Sequence, residues 1–150
     1  MEQQKALYPV IAGPTASGKT ALAVELAKRL DGEIVSADSM QIYDGISVGT
    51  ARPTAAEMQG VPHHLLGFLP LSAAYSVAQY VKDAKRVIAE IEGRGKLPVL
   101  CGGTGLYLQS LIENITFSDA AVSSEELRRE LRAQFEREGG APLLAALRAV

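Results

Sequence analysis

Residues 13 to 20, Gly13-Pro14-Thr15-Ala16-Ser17-Gly18-Lys19-Thr20, fill every fixed position of the G-x-x-x-x-G-K-[ST] phosphate-binding pattern found in ATP-binding proteins. In such a loop the glycines let successive backbone N–H groups turn inward around a phosphate, and the following helix adds the positive end of its dipole. Lys19 is placed to reach the terminal phosphates. Thr20 is placed to offer its hydroxyl to a Mg²⁺ ion, a hard cation whose other ligands come from phosphate oxygens and water. All eight residues, Gly13, Pro14, Thr15, Ala16, Ser17, Gly18, Lys19 and Thr20, therefore form a candidate diphosphate or nucleotide site. The plainer alternative is a glycine-rich turn that binds nothing. The motif does not say what the phosphates are attached to.

Two further segments could act on a phosphorylated substrate. Asp38, in Ala37-Asp38-Ser39, is suited to a magnesium-linked carboxylate or to a general base for a nucleophile held against the donor, or else turns a loop. Thr104, in Gly102-Gly103-Thr104-Gly105, can donate to a phosphate oxygen or cap a helix, and the two roles are compatible. His63 and His64 suggest a metal, but zinc sites use three or four protein ligands and the chain has two histidines and one cysteine. A histidine bonded to backbone is the expectation there. Cys101 ends an apolar run and reads as a small buried hydrophobe. Lys82, Lys85 and Arg86 read as a solvated helix face.

The elements that must position these groups follow from periodicity. The apolar run Ala6 to Ala12 predicts a buried strand into the phosphate loop, and Ala21 to Leu30 an amphipathic helix out of it, with Leu22, Leu26 and Leu30 toward the sheet and Gly32 at its C-cap. Glu33 to Ser36 predicts a second strand. Residues 40 to 63 predict a long, functional loop with a helical turn near Thr54 to Gln59, followed by a third strand over His64 to Leu69. The capping box Ser76-x-x-Gln79 opens a helix over Val77 to Glu92, and Leu97 to Cys101 is another buried strand. This alternation predicts an α/β fold, a P-loop NTPase-like parallel sheet with helices on both faces and function at the carboxyl ends of its strands. From Ser123 a second box, Ser123-x-x-Glu126, opens a charged helix with Leu127, Leu131 and Phe135 on one face. Gly139-Gly140 ends it, and Pro142 starts another helix. The expected division is residues 1–115 as the core and 116–150 as the start of a helical insertion in a longer protein.

The whole is 150 residues with 47% hydrophobic content and a formal net charge of −2, a globular balance without the global basic field of a free-standing nucleic-acid binder. A single cysteine excludes an intramolecular disulfide, nothing at the N-terminus has the layout of a signal peptide, and no apolar run approaches the roughly 20 residues that span a bilayer. A cytoplasmic monomer away from any membrane is the expectation.

In this order the motifs resemble the tRNA dimethylallyltransferases (tRNA isopentenyltransferases) of the bacterial type. The segments that carry the resemblance are the phosphate loop, Ser36-Ala37-Asp38-Ser39-Met40-Gln41-Ile42-Tyr43, Val48-Gly49-Thr50-Ala51-Arg52-Pro53, Val61-Pro62-His63-His64-Leu65, Tyr75-Ser76-Val77 and Gly102-Gly103-Thr104-Gly105-Leu106-Tyr107. The resemblance covers residues 13 to about 112. It implies a Mg²⁺-dependent enzyme, a tRNA prenyltransferase that moves the dimethylallyl group of dimethylallyl diphosphate to N6 of adenosine 37 in tRNA. The loop would then hold diphosphate and not ATP. By position, Asp38 is the implied general base, Thr104 the implied contact to the leaving diphosphate, and Asp38, Ser39, Met40, Gln41 and Arg128 the implied contacts to tRNA. Two departures stand out: the acidic residue that usually follows His-His-Leu is replaced near Gly67, and Asp44 stands where a basic residue is frequent. The family also continues beyond the position of Val150, with more of the insert, further basic elements and an arginine expected at the diphosphate. Alone, the 150 residues are expected to transfer little or no prenyl group.

The N-K-x-D pattern of GTPases is missing, which argues against a switch protein. A P-loop small-molecule kinase or an adenylate isopentenyltransferase would share the loop and the aspartate but take a free nucleotide as acceptor. A non-catalytic diphosphate- or RNA-binding fragment is the alternative from another class. The set of tRNA substrates is not written in these residues.

Overall fold

The computed structural model describes residues 7–115 and 125–149. Four strands, β1 (Val10–Ala12), β2 (Gly32–Ser36), β3 (His63–His64) and β4 (Leu97–Gly102), form one sheet in the order β1-β4-β2-β3, and every pairing is parallel. Parallel neighbours require long crossovers, and α1 (Lys19–Arg29), α2 (Ala55–Met58), α3 (Val77–Gly93) and α4 (Gly105–Ile112) lie in or after them. The chain forms two compact units, Met1–Ile115 and Thr116–Val150.

Register decides where the loops go. Ala12 pairs with Gly102 and Ser36 with Cys101, so β1, β4 and β2 end side by side. The chain passes from β1 to β2 over the position that β4 later fills, and that reversal leaves a crevice at the carboxyl ends.

The two faces of the sheet are filled differently. Ala23, Val24 and Ala27 of α1 pack with Ile34, Val61 and Val99, and Ile11, Leu26 and Cys101 border this cluster. The expected Leu22–Leu26–Leu30 stripe is therefore displaced: Leu22 and Leu30 are exposed and Leu26 is only half-buried. Small side chains face the sheet because the backbones approach closely. A Cβ on Gly32 would lie 2.6 Å from the Leu97 carbonyl oxygen and 3.6 Å from the Ala27 Cα. Gly32 thus belongs to β2, and the left-handed residue that ends α1 is Asp31, at φ 51°.

Alternation along a strand turns Val35 and Leu100 to the other face, where α3 packs on β2 and β4. Its stripe Tyr80, Val81, Ala84, Val87, Ile88 and Ile91 is buried, each large side chain contributing about 1.5–3 kcal/mol. The capping box forms: Ser76 N–H donates to Gln79 Oε1 at 2.7 Å and Gln79 N–H to Ser76 Oγ at 3.3 Å. Lys85 and Arg86 are not merely solvated, since Lys85 reaches Asn114 Oδ1 and Arg86 pairs with Asp83 and Glu90.

Three other expectations need correction. β1 starts at Val10, after Pro9, and Ala6 lies outside the described residues. β3 stops after His64 because Leu65 and Gly67 take left-handed backbone at φ 60° and 55°, so only a bridge from Leu69 to Tyr43 continues the pattern. In the second unit, α5 (Glu125–Glu138) carries Leu127, Leu131 and Phe135, and α6 (Gly140–Arg148) starts two residues before Pro142. Pro142 sits in the first turn, where its missing N–H has no partner to lose. Ser123 of the second capping box lies outside the described residues.

Candidate active site

The phosphate loop leaves β1 and enters α1 through Gly18, whose φ of 82° is left-handed, as is that of Ala16 at 62°. Pro14 to Gly18 are exposed, while Gly13, Lys19 and Thr20 are half-buried. Pro14 O accepts the Ser17 hydroxyl at 2.8 Å and also the Lys19 ammonium, so the loop is closed by its own side chains. Thr20 stands in the first turn of α1, beside Lys19.

The second and third strand ends are locked to each other by short-range geometry. Ala37 N–H donates to Cys101 O at 2.8 Å and Thr104 N–H donates to Ala37 O at 3.0 Å. A Cβ on Gly102 would lie 2.2 Å from the Ala37 oxygen, and one on Gly103 would lie 3.2 Å from the Gly13 oxygen. Glycine is required at 102 for that approach, which brings the phosphate loop, Ala37 and the Gly102–Thr104 turn to one place.

Within it, Asp38 Oδ1 accepts the backbone N–H groups of Met40 at 2.9 Å and Gln41 at 3.2 Å. Asp38 therefore does turn a loop, with one oxygen, and it stays half-buried. Thr104 is at the N-cap position of α4, yet its side chain makes no cap bond. Its Oγ1 accepts Ser39 N–H at 2.9 Å and lies 3.2 Å from Ser39 Oγ.

Cys101 lies between the charged groups. Burial pushes its thiol up, the Lys19 charge pulls it down, and the Asp38 charge pushes it up again, an environment that suits a structural thiol and not a nucleophile. Tyr107, from the same motif as Thr104, is pushed up first by burial and then by Tyr43 and Asp38. It stacks on Tyr80 with ring centroids 4.1 Å apart. Neither tyrosine declares a role beside the site by residue type alone. The signal was present in Gly-Leu-Tyr, but helical spacing alone reads it as core.

Met40 is exposed, while Gln41 is half-buried and its Nε2 donates to the carbonyls of Thr50 at 3.0 Å and Ala51 at 3.3 Å. Arg128 lies on α5 with Arg129 and Arg132, in the second unit. His63 Nδ1 donates to Val61 O at 2.8 Å, which fixes the tautomer, and burial keeps its pKa below the ordinary histidine value. His64 Nε2 meets Glu33 Oε2 at 2.6 Å.

A parallel sheet with a phosphate loop after its first strand, and a carboxylate and a threonine at the next two strand ends, defines an α/β protein of the P-loop kind. Comparison with known proteins narrows this. The family model described as IPP transferase matches residues 41–150, and the chain belongs to that family. It is 47% identical over 128 residues to the tRNA dimethylallyltransferase of Staphylococcus epidermidis, covering 85% of this chain and 39% of that protein. It is 51% identical over 141 residues to the tRNA dimethylallyltransferase of Rhizobium etli, covering 94% and 47%. The crystal structure of the full-length tRNA isopentenylpyrophosphate transferase from Bacillus halodurans superposes with a TM-score of 0.73 at 46% identity, over 93% of this chain and 46% of that one. The chain thus spans less than half the length of these relatives.

Proposed function

We propose that this chain supplies the donor site and the acceptor-side carboxylate of an enzyme that transfers the dimethylallyl group of dimethylallyl diphosphate to N6 of adenosine 37 in tRNA. The observation that carries the reading is the meeting of Lys19, Asp38 and Thr104 at three adjacent strand ends, with Gly102 and Gly103 permitting the approach. The names of the relatives support the same chemistry.

An exocyclic amine is a weak nucleophile, so the site must align it with the allylic carbon, stabilise the departing diphosphate and accept a proton. N6 forms a bond to C1 of the dimethylallyl group while the C1–O bond to diphosphate breaks. The N–H groups of residues 15 to 20 and the Lys19 ammonium take the charge that develops on diphosphate; Pro14 has no N–H to offer. The proton from N6 goes to Asp38, whose Oδ1 is already held by two N–H groups, leaving Oδ2 as its base. Thr104, tied to Ser39, aligns the acceptor loop with the leaving group.

The donor set suits Mg²⁺ held mainly by substrate: the Thr20 hydroxyl is available in the first turn of α1, and the phosphate oxygens and water complete the shell. When bound, the ion neutralises charge on the diphosphate. Arg128, Ser39, Met40 and Gln41 are assigned to the tRNA side, and Thr116–Val150 to a helical insertion that meets the RNA. Action as a monomer in the cytoplasm fits the reading. Among the described residues no helix is long and apolar enough to cross a membrane.

The test is a transfer assay, on the longer protein of which this chain is read as a part, with radiolabelled dimethylallyl diphosphate and three acceptors: tRNA, AMP and ADP. Label entering tRNA alone is the expected result. Label entering AMP or ADP assigns an adenylate isopentenyltransferase, and no transfer with retained diphosphate binding leaves only a binding module.

A further inference from the structure

Between the end of the acceptor loop and α2 lies a cleft of about 480 Å³, walled by Ser47, Val48, Arg52, Pro53, Thr54 and Glu57 among others. Its volume is within the range of about 300–1,000 Å³ typical of ligand sites. Three observations bear on what it takes.

The first is the state of Arg52. Its side chain is only 23% exposed, and its one side-chain polar contact among the described residues is Asp44 Oδ1 at 3.5 Å, from a carboxylate that is itself 71% exposed. A guanidinium offers five donors and is held strongly when it meets oxygens in a two-pronged geometry at about 2.7–2.9 Å. A single long contact leaves this mostly buried cation under-compensated, which points to a further anion.

The second observation is where the guanidinium lies. A Cβ on Gly67 would lie 1.6 Å from Arg52 Nη1 and 2.7 Å from its Cζ, so in this pose the guanidinium packs directly against Gly67. The third is position. Gln41 accepts no freedom of its own: Asp38 Oδ1 takes its backbone N–H, and its side chain donates to the carbonyls of Thr50 and Ala51 at the edge of the cleft. The cleft is therefore one glutamine away from Asp38. Glu57 lies on the cleft wall too, but its carboxylate is turned onto the N–H and hydroxyl of Thr54, at 2.8 Å each, within a capping box.

We propose that this cleft seats a backbone phosphate of the RNA acceptor, next to the nucleotide that reacts at Asp38, with Arg52 as its ligand and Gln41 as the residue that fixes the distance between the two. The inference rests on the tRNA reading above and adds to it a phosphate subsite on the first unit. Arg52 touches RNA and not the donor, and it acts on binding and register rather than on the chemical step.

Arg52→Gln keeps length and hydrogen-bonding capacity but removes the charge, and Asp44→Asn removes the competing carboxylate. Binding of an anticodon stem-loop RNA is measured by fluorescence anisotropy across a salt series, with binding of inorganic diphosphate in Mg²⁺ by calorimetry alongside. Arg52→Gln should weaken RNA binding by about tenfold and lower the slope of log K against log salt by about 0.7–0.9, the value of one phosphate contact. Asp44→Asn should tighten RNA binding, and diphosphate binding should stay at the wild-type value in both. An unchanged RNA affinity and slope in Arg52→Gln overturns the proposal, as does a matching loss of diphosphate affinity, which would make Arg52 a donor-site residue. If both variants fold, as judged by their thermal melts, and Asp44→Asn weakens RNA binding, the assignment of the cleft is also overturned. Wild-type protein that binds no RNA would instead remove the tRNA reading itself, and this inference with it.

Discussion

Across 65 residues of chain, the Thr104 hydroxyl accepts the backbone N–H of Ser39 at 2.9 Å and sits 3.2 Å from Ser39 Oγ. One side chain thus couples the end of β4 to the loop that carries Asp38. Coupling of this kind matters where a leaving group and an acceptor must be aligned, because small misplacements are costly in rate.

Thr104→Val should therefore lower single-turnover transfer about 10- to 100-fold, from a half-buried hydrogen-bonding site losing its acceptor, while Thr104→Ser keeps most of the rate. Quench-flow of the full-length protein with saturating tRNA reads this directly. A valine variant at the wild-type rate would show that the link is ornamental.

The strand ends and the glycine-rich turns were legible because a phosphate loop and a Gly-Gly-Thr-Gly turn announce themselves by type and spacing. Helix faces were less so. Leu22 and Leu30 look like the buried stripe of α1 by periodicity, but the packing distance set by Gly32 selects Ala23, Val24 and Ala27 instead. β3 is shorter than its apolar run predicts because nothing in Leu65-Leu66-Gly67 signals that Leu65 adopts φ 60°. In the sequence Arg52 stands out only as part of the Val48–Pro53 motif. Its guanidinium packs against Gly67, fifteen residues away in sequence, and a long-range pairing of that kind leaves no mark in spacing.

Lys19→Ala should leave the fold intact and reduce diphosphate affinity by at least about tenfold, since a charge-assisted hydrogen bond contributes about 1.5–3 kcal/mol. The ammonium is bonded to a loop carbonyl, not to the core, so far-ultraviolet circular dichroism should be unchanged. Calorimetric titration with diphosphate and Mg²⁺ gives the affinity, and wild-type binding would remove Lys19 from the site.

Gly102 and Gly103 separate two degrees of crowding. Gly102→Ala would drive a Cβ to 2.2 Å from the Ala37 oxygen, inside the sheet, and should cost about 3 kcal/mol or more. Gly103→Ala meets the Gly13 oxygen at 3.2 Å and needs only a small adjustment. Urea denaturation should rank Gly102→Ala well below Gly103→Ala. The reverse order would mean that the three strand ends do not meet as described.

Glu33 tests the far end of the sheet. It is nearly buried, with Arg94 Nη2 at 2.7 Å and His64 Nε2 at 2.6 Å from Oε2, and hydrogen bonding to Arg94, opposed by burial and helped by His64, holds its carboxyl below the ordinary value. A carboxylate whose folded-state pKa lies below its unfolded value of about 4.3 contributes stability that is full above that value and is lost as pH falls through the folded-state pKa. Glu33→Gln should thus lower stability at pH 7 by about 1–3 kcal/mol, the half-exposed Arg94 keeping this below the full effect of breaking a buried pair. The gap from wild type should close below about pH 4. Melts from pH 3 to 7 that show a constant gap would contradict the linkage.

In the full-length protein, Asp38→Asn isolates the proton acceptor. Asparagine keeps Oδ1, so the bonds from Met40 and Gln41 N–H that shape the loop should survive, and tRNA and diphosphate should bind within a few fold of wild type. What is lost is the basicity of the second oxygen, now an amide nitrogen, and the transfer step should fall by about 10²–10⁴. Because the lost charge could also weaken a Mg²⁺ contact, diphosphate affinity is measured apart from the rate, and single-turnover transfer at saturating tRNA then reports the chemical step alone. A fall in rate with both affinities preserved assigns the proton to Asp38. A rate near wild type would leave Asp38 with only the turn it makes through Oδ1, and the base would have to be sought on another element.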